Sequence, residues 1–139
     1  MYARFAQALL PYDIFSQPVS IFCVEEYCQS EYFQPRCLKN EVIFMRTAIY
    51  GRMRIGKCIS AEEVAAHKTH VGDDPRYLGC SEDVLRILDQ KCSGKVSCDV
   101  RVIEISDENI RPCFPGLKEY LEASFDCINS KYLLTHKYR

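Results

Sequence analysis

Residues 42–50 read VIFMRTAIY and close on Gly51. The run is almost continuously apolar, rich in β-branched and aromatic side chains, and shorter than an ordinary buried helix. It predicts a strand buried on both faces and ended by the glycine. A second run, residues 119–127 (EYLEASFDC), alternates: Leu121, Ala123, Phe125 and Cys127 point one way, and Tyr120, Glu122, Ser124 and Asp126 the other. Residues 98–105 (CDVRVIEI) predict a third, half-buried strand, with Val100 and Val102 opposed to Arg101, Ile103 and Ile105.

Helical signals lie between these strands. Residues 60–67 open with Ser60 and Glu63, a capping-box spacing, and predict a short helix followed by the polar loop HKTHVGDDPRYLG. Residues 81–91 (SEDVLRILDQK) give the clearest helix, with Ser81 as cap, Glu82 and Asp83 at the positive end and Lys91 at the other. Its Val84, Leu85, Ile87 and Leu88 recur at helical spacing. Residues 92–98 (CSGKVSC) make a tight loop bent at Gly94. The expectation is a small α+β domain: an antiparallel sheet, about two short helices and long structured loops. Residues 1–22 read as an N-terminal extension interrupted by Pro11 and Pro18, 23–128 as the domain, and 129–139 as a tail.

The chain has 139 residues, which suits one domain. A net charge of -1 argues against a nucleic-acid partner, and no apolar run approaches the roughly 20 residues that cross a bilayer. Any membrane link is expected through another part of a larger receptor. No N-x-S/T sequon is present. The nine cysteines spread through the sequence instead of clustering as zinc sites do. They read as a disulfide framework made in the secretory pathway, hence an extracellular or cell-surface location. Eight cysteines can pair in 105 ways, and spacing alone does not choose among them.

Three motifs point further. Ala48-Ile49-Tyr50-Gly51-Arg52 looks like A-N-Y-G-R; Cys92–Cys98 looks like a C-x-G-x-x-x-C loop after a helix; Pro112-Cys113, Pro115-Gly116 and Tyr120-Leu121-Glu122 look like D-P-C-P-G-T-x-K-Y-L-E. In this order, with eight matching cysteines, the tract from Cys28 to Cys127 resembles the rhamnose/galactose-binding lectin domain of egg lectins, latrophilins and some axon-guidance receptors. The resemblance implies the pairs Cys28–Cys58, Cys37–Cys127, Cys80–Cys113 and Cys92–Cys98. Cys23 is left over, and an interchain disulfide is its expected use. The interval 59–79 looks like an insertion.

The resemblance also implies a ligand-binding end built from Gln29, Tyr50, Arg111, Gly116, Leu117, Lys118 and Glu119. Several of these depart from the family pattern. Gln29 replaces a Glu, Ile49 an Asn and Arg111 an Asp, and one extra residue before Tyr120 leaves the Lys position on Lys118 or Glu119. Polar contacts to a sugar ring are thereby lost, so weak or no binding of rhamnose or galactose is expected. Non-catalytic recognition of an extracellular protein is the leading expectation. The alternative is a lectin of altered specificity, taking galactose/rhamnose-type or sulfated, heparan-like glycans. For the sulfated ligands Arg52, Arg54 and Lys57 of GRMRIGK, with Arg111, would supply guanidinium and ammonium contacts. The bland reading of those cations is a solvated loop balanced by nearby acids. Lys131, His136, Lys137 and Arg139 read as a frayed tail.

A Cys58–His67–His70–Cys80 zinc set can be drawn, but its cysteines serve better as disulfides, and no metal or other cofactor is expected. The sequence has no glycine-rich phosphate loop and no nucleophile elbow, and its carboxylates come as adjacent surface pairs, so no enzymatic activity is expected.

Overall fold

The structure of the protein is a computed structural model that describes residues 24–71 and 74–132, and of residues 67–71 the backbone only. The extension 1–22, Cys23, the tail beyond 132 and the side chains of His67 and His70 lie outside the described residues.

The elements run β1 (Glu25–Cys28), β2 (Tyr32–Phe33), β3 (Glu41–Arg52), α1 (Ala61–Val71), β4 (Cys80–Asp83), α2 (Leu85–Cys92), β5 (Val100–Arg101), a 3₁₀ helix (Val102–Glu108) and β6 (Tyr120–Asn129). One sheet has the order β1-β6-β3-β4, and β2 pairs with β5 in a second. Every pairing is antiparallel. The molecule is thus a small α+β domain with an antiparallel sheet and short helices.

The VIFMRTAIY strand is not buried on both faces. A register shift between Met45 and Thr47 against β6 inserts Arg46 as an extra residue. Strict alternation would send Ile43, Met45, Thr47 and Ile49 to one side. The bulge resets the parity, so Ile43, Met45, Ala48 and Tyr50 enter the core while Phe44, Arg46 and Ile49 face solvent. Gly51 does not end the strand. At φ 153° it continues the ladder beside Cys80, where an added Cβ would stand 2.3 Å from the Cys80 carbonyl oxygen.

Residues 81–83 are strand, not the first turn of a helix. The edge of β3 at Ile49–Arg52 presents backbone groups that need partners, and Cys80–Asp83 supplies them. The helix starts at Leu85, whose N–H donates to the Asp83 carboxylate at 2.8 Å. Lower down the same edge, the CSGKVSC loop takes over: Ile43 N–H donates to Lys95 O, and Gly94 N–H to Ile43 O, both at 2.8 Å.

The strand expected over 98–105 shortens to two residues. Beyond it the 3₁₀ helix brings Val102 and Ile105, three residues apart, to the same buried side and leaves Ile103 42% exposed. These side chains join Phe33, Leu88, Val100 and the inner faces of β3 and β6 in the main core.

A second cluster lies on the opposite face of the sheet. Tyr120, one residue from the inward Leu121, packs there against Ile59, Val64 and Tyr77, with Met53, Leu78, Phe114 and Leu117 around them. The interval 59–79 therefore covers one end of the sheet's other face. That is why β6 is buried on both sides from Tyr120 to Ser124, where simple alternation predicts a polar outer face.

Four disulfides join Cys28–Cys58, Cys37–Cys127, Cys80–Cys113 and Cys92–Cys98, the set that the resemblance implies. The framework belongs to an oxidising, extracellular compartment. Among the described residues no helix is long and apolar enough to cross a membrane.

Candidate functional site

The strand register gathers the sequence candidates at one end of the sheet. Cys28 pairs with Tyr120, Tyr120 with Gly51, and Gly51 with Ser81, a single row across all four strands. Gln29 and Arg52 leave this row, and Glu119 and Cys80 enter it. The loop 111–119 is tied down by Cys80–Cys113, and the 28–31 turn is tied to the 53–58 loop by Cys28–Cys58.

The candidates divide into inner and outer groups. Tyr50 is fully buried in the main core. Its hydroxyl is buried and has no hydrogen-bond partner within bonding distance among the described residues, and burial first, then the negative charge of Glu119, pushes its pKa well above the ordinary tyrosine range. Glu119 is itself buried. Desolvation raises its pKa, partly offset by the Tyr50 hydroxyl, the Cys113 N–H and the positive charges of Arg52 and Arg111. Leu117 is half-buried against the second cluster. Outside stand Arg111, Gly116 and Lys118, all exposed, and Gln29, half-buried in the turn that Glu31 N–H closes on Cys28 O at 2.9 Å. Gly116 has φ 83° with open space where a Cβ would be, so the glycine serves the turn rather than a tight contact.

The cations of GRMRIGK are occupied. Arg52 is 2% exposed and donates through Nε to Tyr77 O at 2.8 Å and through Nη1 to Lys118 O at 2.5 Å. It is a tie between loops, not a surface contact for an anionic glycan. Arg54 Nη2 meets Glu122 Oε1 at 2.6 Å, and Lys57 Nζ meets Glu31 Oε2 at 2.9 Å. Lys118 Nζ lies 3.7 Å from Glu63. Of the cations named for this end, Arg52 and Arg111 make no ion pair within bonding distance among the described residues, and of these two only Arg111 is exposed.

Sequence reasoning missed Glu122 and Tyr120 as members of this end. Glu122 sits on the central strand with its side chain 8% exposed under Arg54. The Tyr120 hydroxyl accepts from Arg54 N–H at 3.0 Å and donates to Arg54 O at 3.3 Å. Burial raises its pKa. The signal was their place on the supposedly polar side of β6, next to the inward Leu121.

Chemically, this end offers a mixed surface of one unpaired guanidinium, an amide, backbone at a glycine turn and a paired lysine. Among the described residues no ring of exposed, unoccupied hydrogen-bonding groups converges on a cavity at this end. A depression lined by Phe44, Met45, Asp83, Leu85, Arg86 and Asp89 opens widely to solvent and includes no residue of the 111–119 loop. Among the described residues no cluster of His, Cys, Asp and Glu could hold a metal ion.

Fold and bridges define a small, disulfide-stapled α+β domain of extracellular type. Over 106 residues the chain is 24% identical to Protein eva-1 homolog C of Pan troglodytes, covering 76% of this chain and 22% of that protein. The same protein of Mus musculus is 26% identical over 108 residues. Over 114 residues the chain is 29% identical to Adhesion G protein-coupled receptor L1 of Bos taurus, covering 82% of this chain and 7% of the receptor. No family model matches the chain. It thus corresponds to a segment of much longer proteins, one of them a receptor by name.

Proposed function

We propose that the chain is a non-catalytic recognition domain of a cell-surface receptor or secreted protein, and that it binds an extracellular protein through the sheet end carrying Gln29, Arg111, Gly116 and Lys118. One observation carries the reading. Where the resemblance calls for polar groups around a sugar, the chain has Ile49, 36% exposed, and Arg111, while Tyr50 and Glu119 are both buried. A pyranose needs several directional hydrogen bonds to replace its water. A mixed apolar and charged surface suits a protein better. The similarity to a segment of an adhesion receptor supports the same direction.

The alternative, sulfated glycan bound through Arg52, Arg54 and Lys57, is not favoured at this end, because these cations already hold carbonyls or carboxylates. The test is capture of partners from a library of displayed ectodomains, followed by Arg111→Glu and Lys118→Glu. Loss of capture by these variants supports the proposal; capture that survives both overturns this choice of surface.

A further inference from the structure

The charges of this nearly neutral chain are sorted along the sheet. At the Gln29 and Arg111 end, Arg54, Lys57, Arg76 and Lys118 are each paired with an acid. At the other end, where β3 begins and β6 finishes, Arg36, Lys39, Lys91, Lys95 and Lys131 are all exposed, and none makes an ion pair among the described residues.

Backbone bonds bring these residues together from four segments. Arg36 bridges Ser97, and Cys37 N–H donates to Val96 O at 2.8 Å, which lays the 36–39 segment against the disulfide loop. Lys95 accepts through its carbonyl from Ile43, at the start of β3. Ser130 N–H donates to Asn40 O at 2.9 Å, which sets Lys131 close to Lys39 along the chain ends. Lys91 closes α2 just before that loop. Fewer acids stand in the neighbourhood than cations: Glu41, which accepts from Leu38 N–H, Asp89, which accepts from the Ser93 hydroxyl, and Asp99, exposed past Cys98, so the positive charge is in excess. Cys37–Cys127 and Cys92–Cys98 hold the backbone carrying this patch.

We propose that this cationic end binds a sulfated polysaccharide chain of the glycosaminoglycan type. Uncompensated cations spread over several segments attract an extended polyanion, since each contact adds a phosphate- or sulfate-like charge and releases counterions. The disulfide framework puts the domain where sulfated chains are the abundant polyanions. Anionic lipid, by contrast, faces the cytoplasm. Among the described residues Leu38, Val96 and Tyr132 stand out beside the cations, 47%, 48% and 66% exposed, a scatter of single side chains with one aromatic at its edge. The site is separate from the Gln29 and Arg111 end and stands or falls without it.

The test is heparin binding by the full oxidised chain with salt titrated, alongside vesicles containing phosphatidylserine. The native chain should be retained on heparin at about 0.15 M salt, where surface charges are already substantially screened. The triple variant Arg36→Ala/Lys39→Ala/Lys95→Ala should bind at least about tenfold more weakly and lose roughly one unit of log–log salt slope per cation removed. Arg76→Ala, at the far end, should elute like the native chain. Three results would overturn the proposal: no retention of the native chain, equal retention of the triple variant with its four disulfides intact, or binding to vesicles but not to heparin.

Discussion

Arg52 donates from Nε to the carbonyl of Tyr77 at 2.8 Å while its guanidinium carbon stands 5.1 Å from the centre of the same residue's ring. Its Nη1 reaches the Lys118 carbonyl, so one buried side chain joins the end of β3 to both the 59–79 segment and the 111–119 loop. The arginine of the A-x-Y-G-R stretch therefore builds the scaffold on which the candidate surface sits.

Arg52→Ala leaves two carbonyls without their donor inside the protein and should cost about 2–4 kcal/mol. Arg52→Lys should recover only part of this, because an ammonium lacks the planar fork. Chemical denaturation measures both. A cost below about 0.5 kcal/mol for the alanine variant, the range of an ordinary surface substitution, would remove the tie from the account.

Gly51→Ala places a Cβ into the Cys80 carbonyl at a backbone angle that alanine resists. The β3–β4 ladder has to open, and with it the setting of the Cys80–Cys113 bridge. Secreted yield should fall sharply, and peptide mapping of what remains should show cysteines mispaired. Normal yield with native bridges would show that the two strands have room to move apart.

The bridges should differ in weight. Cys37–Cys127 spans a sequence separation of 90 and Cys92–Cys98 one of 6. By loop entropy alone, removing the first as a double serine variant costs about 4.6 kcal/mol and the second about 2 kcal/mol. The short loop also lines the edge of β3, so its loss should additionally raise hydrogen exchange at Ile43 and Met45.

Glu119 makes stability depend on pH with a definite sign. Its carboxyl binds a proton more tightly folded than unfolded, because burial raises its pKa. The folded state therefore loses stability as pH rises from the unfolded carboxylate range up through the raised value, and the loss is complete above it. Glu119→Gln should flatten that part of the curve relative to the native chain. Parallel curves for the two proteins would mean that the Arg52 and Arg111 charges cancel the burial.

Much of this architecture is written in the sequence, and the exceptions share a cause. The β3 and β6 strands, the CSGKVSC loop and a helix through Leu88 follow from local pattern, and the bridges from resemblance. What local pattern does not carry is competition between elements. Residues 81–83 become strand because the edge of β3 needs partners, Arg46 bulges because Ala48 and Tyr50 have to face the core, and Tyr120 is covered because the distant 59–79 segment packs on it. The candidate site suffers most from this, since its members follow from the resemblance while burial decides their use. Tyr50, Glu119 and Arg52 proved internal, and Arg111 and Lys118 remain outside.

The central claim is that this sheet end has given up simple sugars. It is tested most directly by titrating the oxidised, folded chain with rhamnose and with galactose and following the amide resonances of Gln29, Arg111, Gly116 and Lys118. The account predicts no saturable shift into the tens of millimolar. Saturation at about 1 mM or below, worth about 4 kcal/mol, centred on those four residues would contradict it and return the domain to the sugar binders.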